Sequence, residues 1–377
     1  QEEVLRFQQS REEWIASGDR NTKFYHAAAT VRKARQKNYT IRDDFDNEIN
    51  SNAAKAQVLA HFTKIFSCDN ESRYCNLPRN HFPKISNEMW ELINRPFGEE
   101  DIKKAMFDMA PFKAPGPDGF HAGFFQRMWS IVGKAVVEQT VNFFNSGIMQ
   151  EGLNDTLVTL IPKVNHPDKV TQFRPISLCN VCYKVITKAM TNRIKPMIGS
   201  VIGPEQSSFV PNRQISNNIV IYQEVLHSMK KKTGSKGIMV LKIDLEKAYD
   251  RLSWDFIKET LEDVGFNNIW VRNIMSCVKS SRLALIWNNE QLDWITPSRG
   301  IRQGDAISPY LFVLCIERLS HLIRNTVRTG KWKGVKLARH GPVLSHLFFA
   351  DDMVLFTEAS QEQIGVIKEC LECYKKF

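Results

Sequence analysis

Three aspartates carry the clearest chemical possibility in the sequence. Asp351 and Asp352 interrupt the apolar run HLFFADDMVLFT, residues 346–357, and Asp244 closes the apolar run GIMVLKID, residues 237–244. Two apolar runs around a two-residue polar step read as a β-hairpin, and Asp tolerates tight turns, so turn chemistry by itself accounts for the Asp351–Asp352 pair. Asp244 adds a different constraint. At the C-terminal end of an apolar strand its carboxylate emerges from the sheet, where an unpaired buried charge costs several kcal/mol and calls for a partner. Hard carboxylate oxygens suit Mg²⁺, which keeps some waters and takes one or two carboxylates together with substrate phosphates. Two such ions about 3.5–4 Å apart clamp the attacking and leaving oxygens of an in-line phosphoryl displacement. On neighbouring strands, Asp244 and Asp351 are the candidates to hold them.

Phosphoryl transfer leaves the protein mainly positioning and electrostatics to supply. A triphosphate needs cations, and Lys163 in LIPKV and Arg174 in FRPISL are candidates. Both segments read as short strands joined by a polar loop, so the two basic residues are expected at one end of a hairpin-like unit. In RQGDAISP, Gln303 precedes Gly304, and a glycine lets the backbone approach a ligand closely. A lone Lys or Arg is usually solvated; the order of these segments along the chain is the stronger observation.

The elements that must position these residues can be read from periodicity and caps. KAPGPDG, residues 113–119, is an ordered turn or loop. A helix pair follows, with Phe124, Phe125, Met128, Trp129, Val132, Val136, Val141 and Phe144 as its apolar residues and an end near Gly147. Ser253 is expected to cap a helix over 254–264 that stops at Gly265. Ser308 occupies the N-cap position of a further helix, with Pro309 first inside it and Leu311, Cys315, Leu319 and Leu322 on one face. Ser360 and Gln363 have capping-box spacing for the last helix. Without a parallel strand–helix–strand rhythm, the expected class is α+β: an antiparallel sheet with helices packed on one face.

A chain of 377 residues, 43% hydrophobic and 24% charged, is long enough for a sizeable core and two or three subdomains. No run approaches the length needed to span a bilayer, and the N-terminus lacks the apolar core of a signal peptide, so a soluble intracellular protein is expected. The missing initiator Met and the end at Phe377 suggest a piece of a longer polypeptide. A net charge of +10 favours a polyanionic partner. Residues 1–45 read as charged helices in which Arg20, Lys23, Arg32, Lys33, Arg35 and Lys37 cluster near Phe24 and Tyr25, either a solvated face or an RNA-contacting arm. Two CxxC pairs, Cys179 with Cys182 and Cys370 with Cys373, lie 191 residues apart in helix-like segments, which favours buried thiols over a zinc site.

The ordered series KAPGPDG, LIPKV, FRPISL, EQSSFVPNRQ, DLEKAYDRLSW, GIRQGDAISPYLF and FADDMVLF resembles the reverse transcriptase of plant LINE-type retrotransposons, which lack long terminal repeats. The resemblance covers residues 111–357, and GDRNTKFYHAA is similar to the segment preceding the polymerase in these elements. It implies a right-hand polymerase with fingers and palm and a thumb missing or truncated. Residues 1–100 would be a basic helical extension, 101–236 the fingers, and 237–377 the palm, with the core over about 157–377. The implied activity is copying RNA into DNA from deoxynucleoside triphosphates with two Mg²⁺ ions, Mn²⁺ being a substitute ion. The implied partners are an RNA template and a DNA primer. Asp244, Asp351 and Asp352 match the acidic triad, and the Leu245 carbonyl joins Asp244 and Asp351 at the metal. Lys163 and Arg174 match the triphosphate grip, Tyr249 the residue that excludes a ribose 2′-OH, and Gln303 and Gly304 the nucleotide and template pocket. FADD stands where retroviral enzymes have YADD. Endonuclease and thumb regions would belong to a longer polyprotein, located by the same resemblance in nucleus and cytoplasm. Two further readings stand beside it: a remnant that binds nucleic acid without turnover, and RNA-templated RNA synthesis.

Overall fold

The computed structural model describes residues 39–42, 47–68, 77–233, 236–338 and 340–375. The basic segment that contains Arg20, Lys23, Phe24 and Tyr25 lies outside them. Helix α1 (Ser51–Phe66) opens at Asn50, whose side chain accepts from the Ala53 N–H at 2.8 Å, and buries Ala54, Val58, Phe62 and Ile65 along one stripe. Helices α2 (Asn87–Asn94), α3 (Glu99–Phe107), α4 (Ala122–Arg127) and α5 (Trp129–Ser146) follow, the last ending at left-handed Gly147 as its sequence position anticipates. Strands β1 (Asp155–Pro162) and β2 (Phe173–Cys179) form an antiparallel hairpin that leads into α6 (Val181–Val201) and α7 (Ile215–Lys231).

Strand β3 (Ile238–Asp244) is followed by α8 (Ala248–Arg251), α9 (Trp254–Val264) and α10 (Asn268–Lys279). Ser253 caps α9 and Gly265 ends it at φ 103°, as expected. Strands β4 (Arg282–Trp287) and β5 (Glu290–Ile295) precede α11 (Ser308–Arg328), the short strands β6 (Val335–Lys336) and β7 (Val343–Leu344), the hairpin of β8 (His346–Phe349) and β9 (Asp352–Glu358), and α12 (Gln361–Lys375).

Four expectations are corrected. Ile307, not Ser308, is the N-cap of α11: its buried carbonyl accepts from the Tyr310 and Leu311 N–H groups at 3.0 and 3.1 Å, placing Pro309 second in the first turn, where its missing N–H leaves no bond unmade. Half of the capping box at α12 forms. Ser360 Oγ accepts from the Gln363 N–H, but the Gln363 side chain turns inward to Lys331, Lys333 and Thr357. The four-stranded sheet, in the order β2-β1-β4-β5, contains a parallel pair, β1 with β4. The chain between them is long enough for the crossover that parallel pairing needs, which hides the pair in sequence.

The fourth correction concerns the antiparallel sheet β3-β9-β8, which is covered on both faces. Phe348, Met353 and Leu355 join the core built on α6, α9, α10 and α11, while Leu347, Val354 and Phe356 pack with Val225 of α7 and Val335. Consecutive apolar residues in β9 require this, because successive side chains point to opposite faces. The class is α+β as expected. A second core joins α1 to the four-stranded sheet through Phe62, Val158, Phe173, Leu285 and Trp287.

Of the four CxxC cysteines, Cys179 and Cys370 are free and buried and Cys182 is free and half-buried, whereas Cys373 is disulfide-bonded, which corrects the expectation of four buried thiols. Cys179 meets Thr156 and Cys370 meets Thr326, on separate elements, and burial pushes both up in pKa, with Cys182 raised to about 11. No described helix is long and apolar enough to cross a membrane.

Trp287 is 2% exposed and lies edge-on to Phe173 at 5.2 Å in the core beneath α1. Trp287→Ala is expected to lower stability by about 3–5 kcal/mol, read by urea denaturation. A change below about 1 kcal/mol would remove this core from the account of the fold.

Candidate active site

The position of the acids follows from strand register. β3 pairs with β9 so that Asp244 lies opposite Asp352, and β8 pairs with β9 so that Phe349 lies opposite Asp352. The two-residue turn of the hairpin is therefore Ala350–Asp351, and not the Asp351–Asp352 step expected from sequence. Asp352 is the first residue of β9, because the apolar residues after it fix the register and leave it inside the ladder. Ala350 takes φ 58°, a left-handed conformation costing a non-glycine residue about 1–2 kcal/mol.

Just beyond β3, the Leu245 N–H donates to the Asp351 carbonyl at 3.4 Å, stitching the end of this strand to the turn. Asp244 and Asp351 are thereby neighbours, both exposed. Asp352 shares a sheet face with Asp244 and with Lys242, two residues earlier, and the Lys242 ammonium pairs with it at 3.4 Å. Like charges directly opposite destabilise a sheet, and Lys242 offsets that repulsion.

Tyr249, in α8, stacks on Phe312 of α11 with ring centroids 4.7 Å apart. Burial and the nearby Asp351 carboxylate raise its phenol pKa, which places it beside the acids. Its carbonyl accepts from the Ile301 N–H at 2.8 Å, tying α8 to the loop that carries Gln303 and Gly304. That loop is fixed on β2 by the bond from the Ser177 N–H to the Gln303 carbonyl, 2.8 Å. At Gly304, φ is 117° and a Cβ would stand 2.8 Å from the Ser177 carbonyl, so the position admits only glycine without movement. Arg302 anchors the same loop, buried over the Tyr183 ring and bonded to Asn154 and Thr156. Phe66, Pro175, Ser177, Asp250, Arg302 and Gln303 are among the residues lining a pocket here.

Lys163 and Arg174 emerge, exposed, from the same end of the β1–β2 hairpin: Ile161 pairs with Arg174, and the Lys163 N–H donates to the Gln172 carbonyl at 2.8 Å. Lys163 also acts electrostatically on Lys247 and Asp250, so it lies within charge range of the segment that follows β3. Arg174 has no such link to that segment among the described contacts.

Three residues that the sequence reading passed over belong to this region. Asp250 is buried, accepts from Gln303 Nε2 at 3.3 Å, and is raised to about 6 by burial against the opposing pull of Gln303, Lys247, Lys163 and Arg251. Lys247 takes left-handed φ 55° and sets its ammonium 3.1 Å from His61 Nε2 on α1. Burial and that ammonium lower His61 to about 4, leaving a neutral acceptor. Asp250 and Lys247 stand within the quoted motif DLEKAYD, whereas nothing local marks His61 as their partner.

Among the described residues no three His, Cys, Asp or Glu side chains gather to hold an ion. The donors present are nonetheless hard oxygens: the exposed carboxylates of Asp244 and Asp351 and the Leu245 carbonyl. That carbonyl accepts from the Ala248 N–H at 3.3 Å and retains a second lone pair. Such a set suits a cation whose remaining positions go to water and substrate phosphate, as Mg²⁺ prefers.

The acidic β8–β9 turn thus lies beside the end of β3, and the β1–β2 hairpin carries two exposed cations at one end. Residues 161–377 match the family described as reverse transcriptase (RNA-dependent DNA polymerase), and the chain belongs to that family, in its LINE-type branch. It is similar to an uncharacterized 149 kDa protein of transposon TX1 from Xenopus laevis, 26% identical over 373 residues, covering 98% of this chain and 28% of that protein. It is also similar to the Pol polyprotein of the type-2 retrotransposable element R2DM of Drosophila melanogaster, 25% identical over 72% of this chain and 24% of the relative. A 70-residue stretch is 47% identical to an uncharacterized mitochondrial protein of Arabidopsis thaliana, 19% of this chain and 57% of that one. The chain spans about a quarter of the length of the TX1 and R2DM proteins.

Asp250 provides a pH test with a defined sign. Its folded pKa, about 6, exceeds the ordinary aspartate value of 3.8, so the folded state binds more protons over that window and stability falls as pH rises through it. Asp250→Asn removes the penalty. Relative to wild type, the variant is expected to gain about 1 kcal/mol between pH 5 and pH 7 in chemical denaturation. A pH-independent difference would show that Asp250 titrates normally.

Proposed function

We propose that this chain is the polymerase core of an RNA-directed DNA polymerase that extends a DNA primer on an RNA template from deoxynucleoside triphosphates. The observation that carries the reading is the Leu245–Asp351 stitch at the end of β3, which sets Asp244 and Asp351 side by side in a chain of this family. In this reading residues 101–236 supply the fingers, with Lys163 and Arg174 at the tip of the β1–β2 hairpin. Residues 237–377 supply the palm, residues 1–100 are a basic extension, and a thumb and an endonuclease belong to a longer protein. Strands β4 and β5, although later in sequence, complete the sheet of that hairpin.

Asp244, Asp351 and the Leu245 carbonyl would hold two Mg²⁺ ions, or Mn²⁺ in their place. Bound there, the ions supply charge stabilisation at the attacking and leaving oxygens of an in-line displacement. The chain's own side chains do the rest. Lys163 and Arg174 neutralise the triphosphate. Tyr249, braced against Phe312, cannot swing aside and so blocks a ribose 2′-OH. The Gln303–Gly304 backbone, held against Ser177, forms a fixed platform for the incoming base pair. Asp352, paired with Lys242, acts on the charge of the site from its margin.

Primer extension on an RNA template tests the assignment, with the full-length protein assayed beside this chain. Asp244→Asn and Asp351→Asn are each expected to remove several kcal/mol of charge stabilisation, about 10³-fold in rate, with primer–template affinity within about threefold of wild type. Asp352→Asn should cost less than either. Salt-sensitive RNA binding without extension by the full-length protein would instead identify a nucleic-acid-binding remnant. Extension that survives Asp351→Asn would move the site elsewhere.

Tyr249→Ala addresses sugar choice separately. Ribonucleotide incorporation, measured in competition with deoxynucleotides, is expected to rise at least about tenfold as the block is lost. Unchanged discrimination would assign sugar selection to another residue, and ribonucleotide preference by the wild type would indicate RNA-templated RNA synthesis.

A further inference from the structure

The segment EQSSFVPNRQ has no part in the mechanism above, yet it reaches the turn that bears Asp351. Residues 205–207 meet β8 through a single parallel bridge at Gln206: the Phe348 N–H donates to the Glu205 carbonyl at 2.8 Å and the Ser207 N–H donates to the Phe348 carbonyl at 3.2 Å. Asn218 of α7 fastens this strap by donating to the Glu205 and Phe348 carbonyls. Gln206 itself is fully buried, with 0% exposure. Its Oε1 accepts from the Ser208 N–H at 2.9 Å and from the Ala350 N–H at 3.2 Å, while its Nε2 has no partner.

An amide that leaves one end unpaired in the core is an expensive way to fill space. It is explained if the other end has a task. That task lies at Ala350, whose left-handed φ is the only positive one in the hairpin turn. One positive φ at the first central position is the pattern of a type II′ turn, where glycine is preferred. With alanine there, the turn can relax away from this conformation, carrying the following residue, Asp351, with it. The bond from Ala350 to Gln206 opposes that relaxation from outside the hairpin.

We propose that Gln206 is a positioning residue for Asp351, its Oε1 holding the Ala350 N–H so that the left-handed turn presents the Asp351 carboxylate beside Asp244. The proposal rests on the polymerase reading of the site. Gln206 touches neither substrate nor ion; it acts through one backbone N–H.

The test compares Gln206→Leu, which deletes the acceptor, with Asn218→Leu, which loosens the same strap without touching the turn. Both are made in the full-length protein. In Gln206→Leu, hydrogen–deuterium exchange at the Ala350 amide is expected to quicken at least about tenfold while the β3–β9 amides stay protected. The kcat for primer extension should fall at least about tenfold with the KM for deoxynucleotide within about twofold, and Ala350→Gly in the same chain should restore much of it, because glycine accepts the turn unaided. Asn218→Leu should leave kcat near wild type. The proposal is overturned by unchanged exchange at Ala350, by faster exchange with kcat intact, or by equal kcat losses in both variants. A wild-type protein that extends no primer sinks the polymerase reading instead, and the exchange measurement still decides whether Gln206 holds the turn.

Discussion

The pairing of β3 with β9 is the constraint on which the acidic site depends. With Asp244 opposite Asp352, the first residue past β3 meets the turn residue Asp351. A slip of one residue would turn every side chain of β3 to the other face and carry Asp244 away from Lys242's partner. What prevents the slip is apolar packing that begins one rung from the acids, where Met353 pairs with Ile243, and runs along the rest of the sheet. Phe348, Met353 and Leu355 are locked into one core, and Leu347, Val354 and Phe356 into another, so neither face of the sheet tolerates a shift. The charged end of the sheet is thus positioned by its uncharged remainder.

The second sheet brings the opposite charge, and one loop joins the two. Residues 298–305 bond to α1 through the Phe66 carbonyl, to α8 through the Tyr249 and Asp250 groups, and to β2 through Ser177. Glycine at 304 is what lets that loop lie against β2. Helix α1 stands outside the matched residues 161–377, yet it supplies His61 to Lys247 and one wall of the core around Trp287. The region upstream of the family match is therefore part of the same physical unit as the site.

Local chemistry was legible in the sequence, and long-range pairing was not. Ser253, Gly265 and Gly147 marked helix ends because a cap is decided by the residue itself. Asp244 could be placed at a strand end because an apolar run stops there. The turn was misplaced by one residue because Asp is the commoner turn former, whereas the apolar partners of β9 set the register and put Ala350 in the turn. The β1–β4 pair was hidden by the more than one hundred residues between its strands. The second covered face of β3-β9-β8 had a signal that alternation arguments underuse: four consecutive apolar residues, Met353 to Phe356, cannot all face one core. His61 had none, since only the fold brings α1 to Lys247.

The electrostatics of the region argue that it is incomplete by itself. Asp244 and Asp351 are adjacent acids, and among the described contacts neither has the cationic partner that Lys242 gives Asp352. On the other side, burial and the neighbouring Arg251 and Lys163 cations pull the Lys247 ammonium below its ordinary value, opposed by Glu246. Asp250, which could neutralise those cations, is itself raised by burial and so carries its charge reluctantly. Lys242 pairs with Asp352 and Lys247 with Glu246, while Asp244 and Asp351 are left without a cation among the described contacts. In the proposed function, a magnesium-complexed triphosphate would bring positive charge to the acids and negative charge to the lysines together.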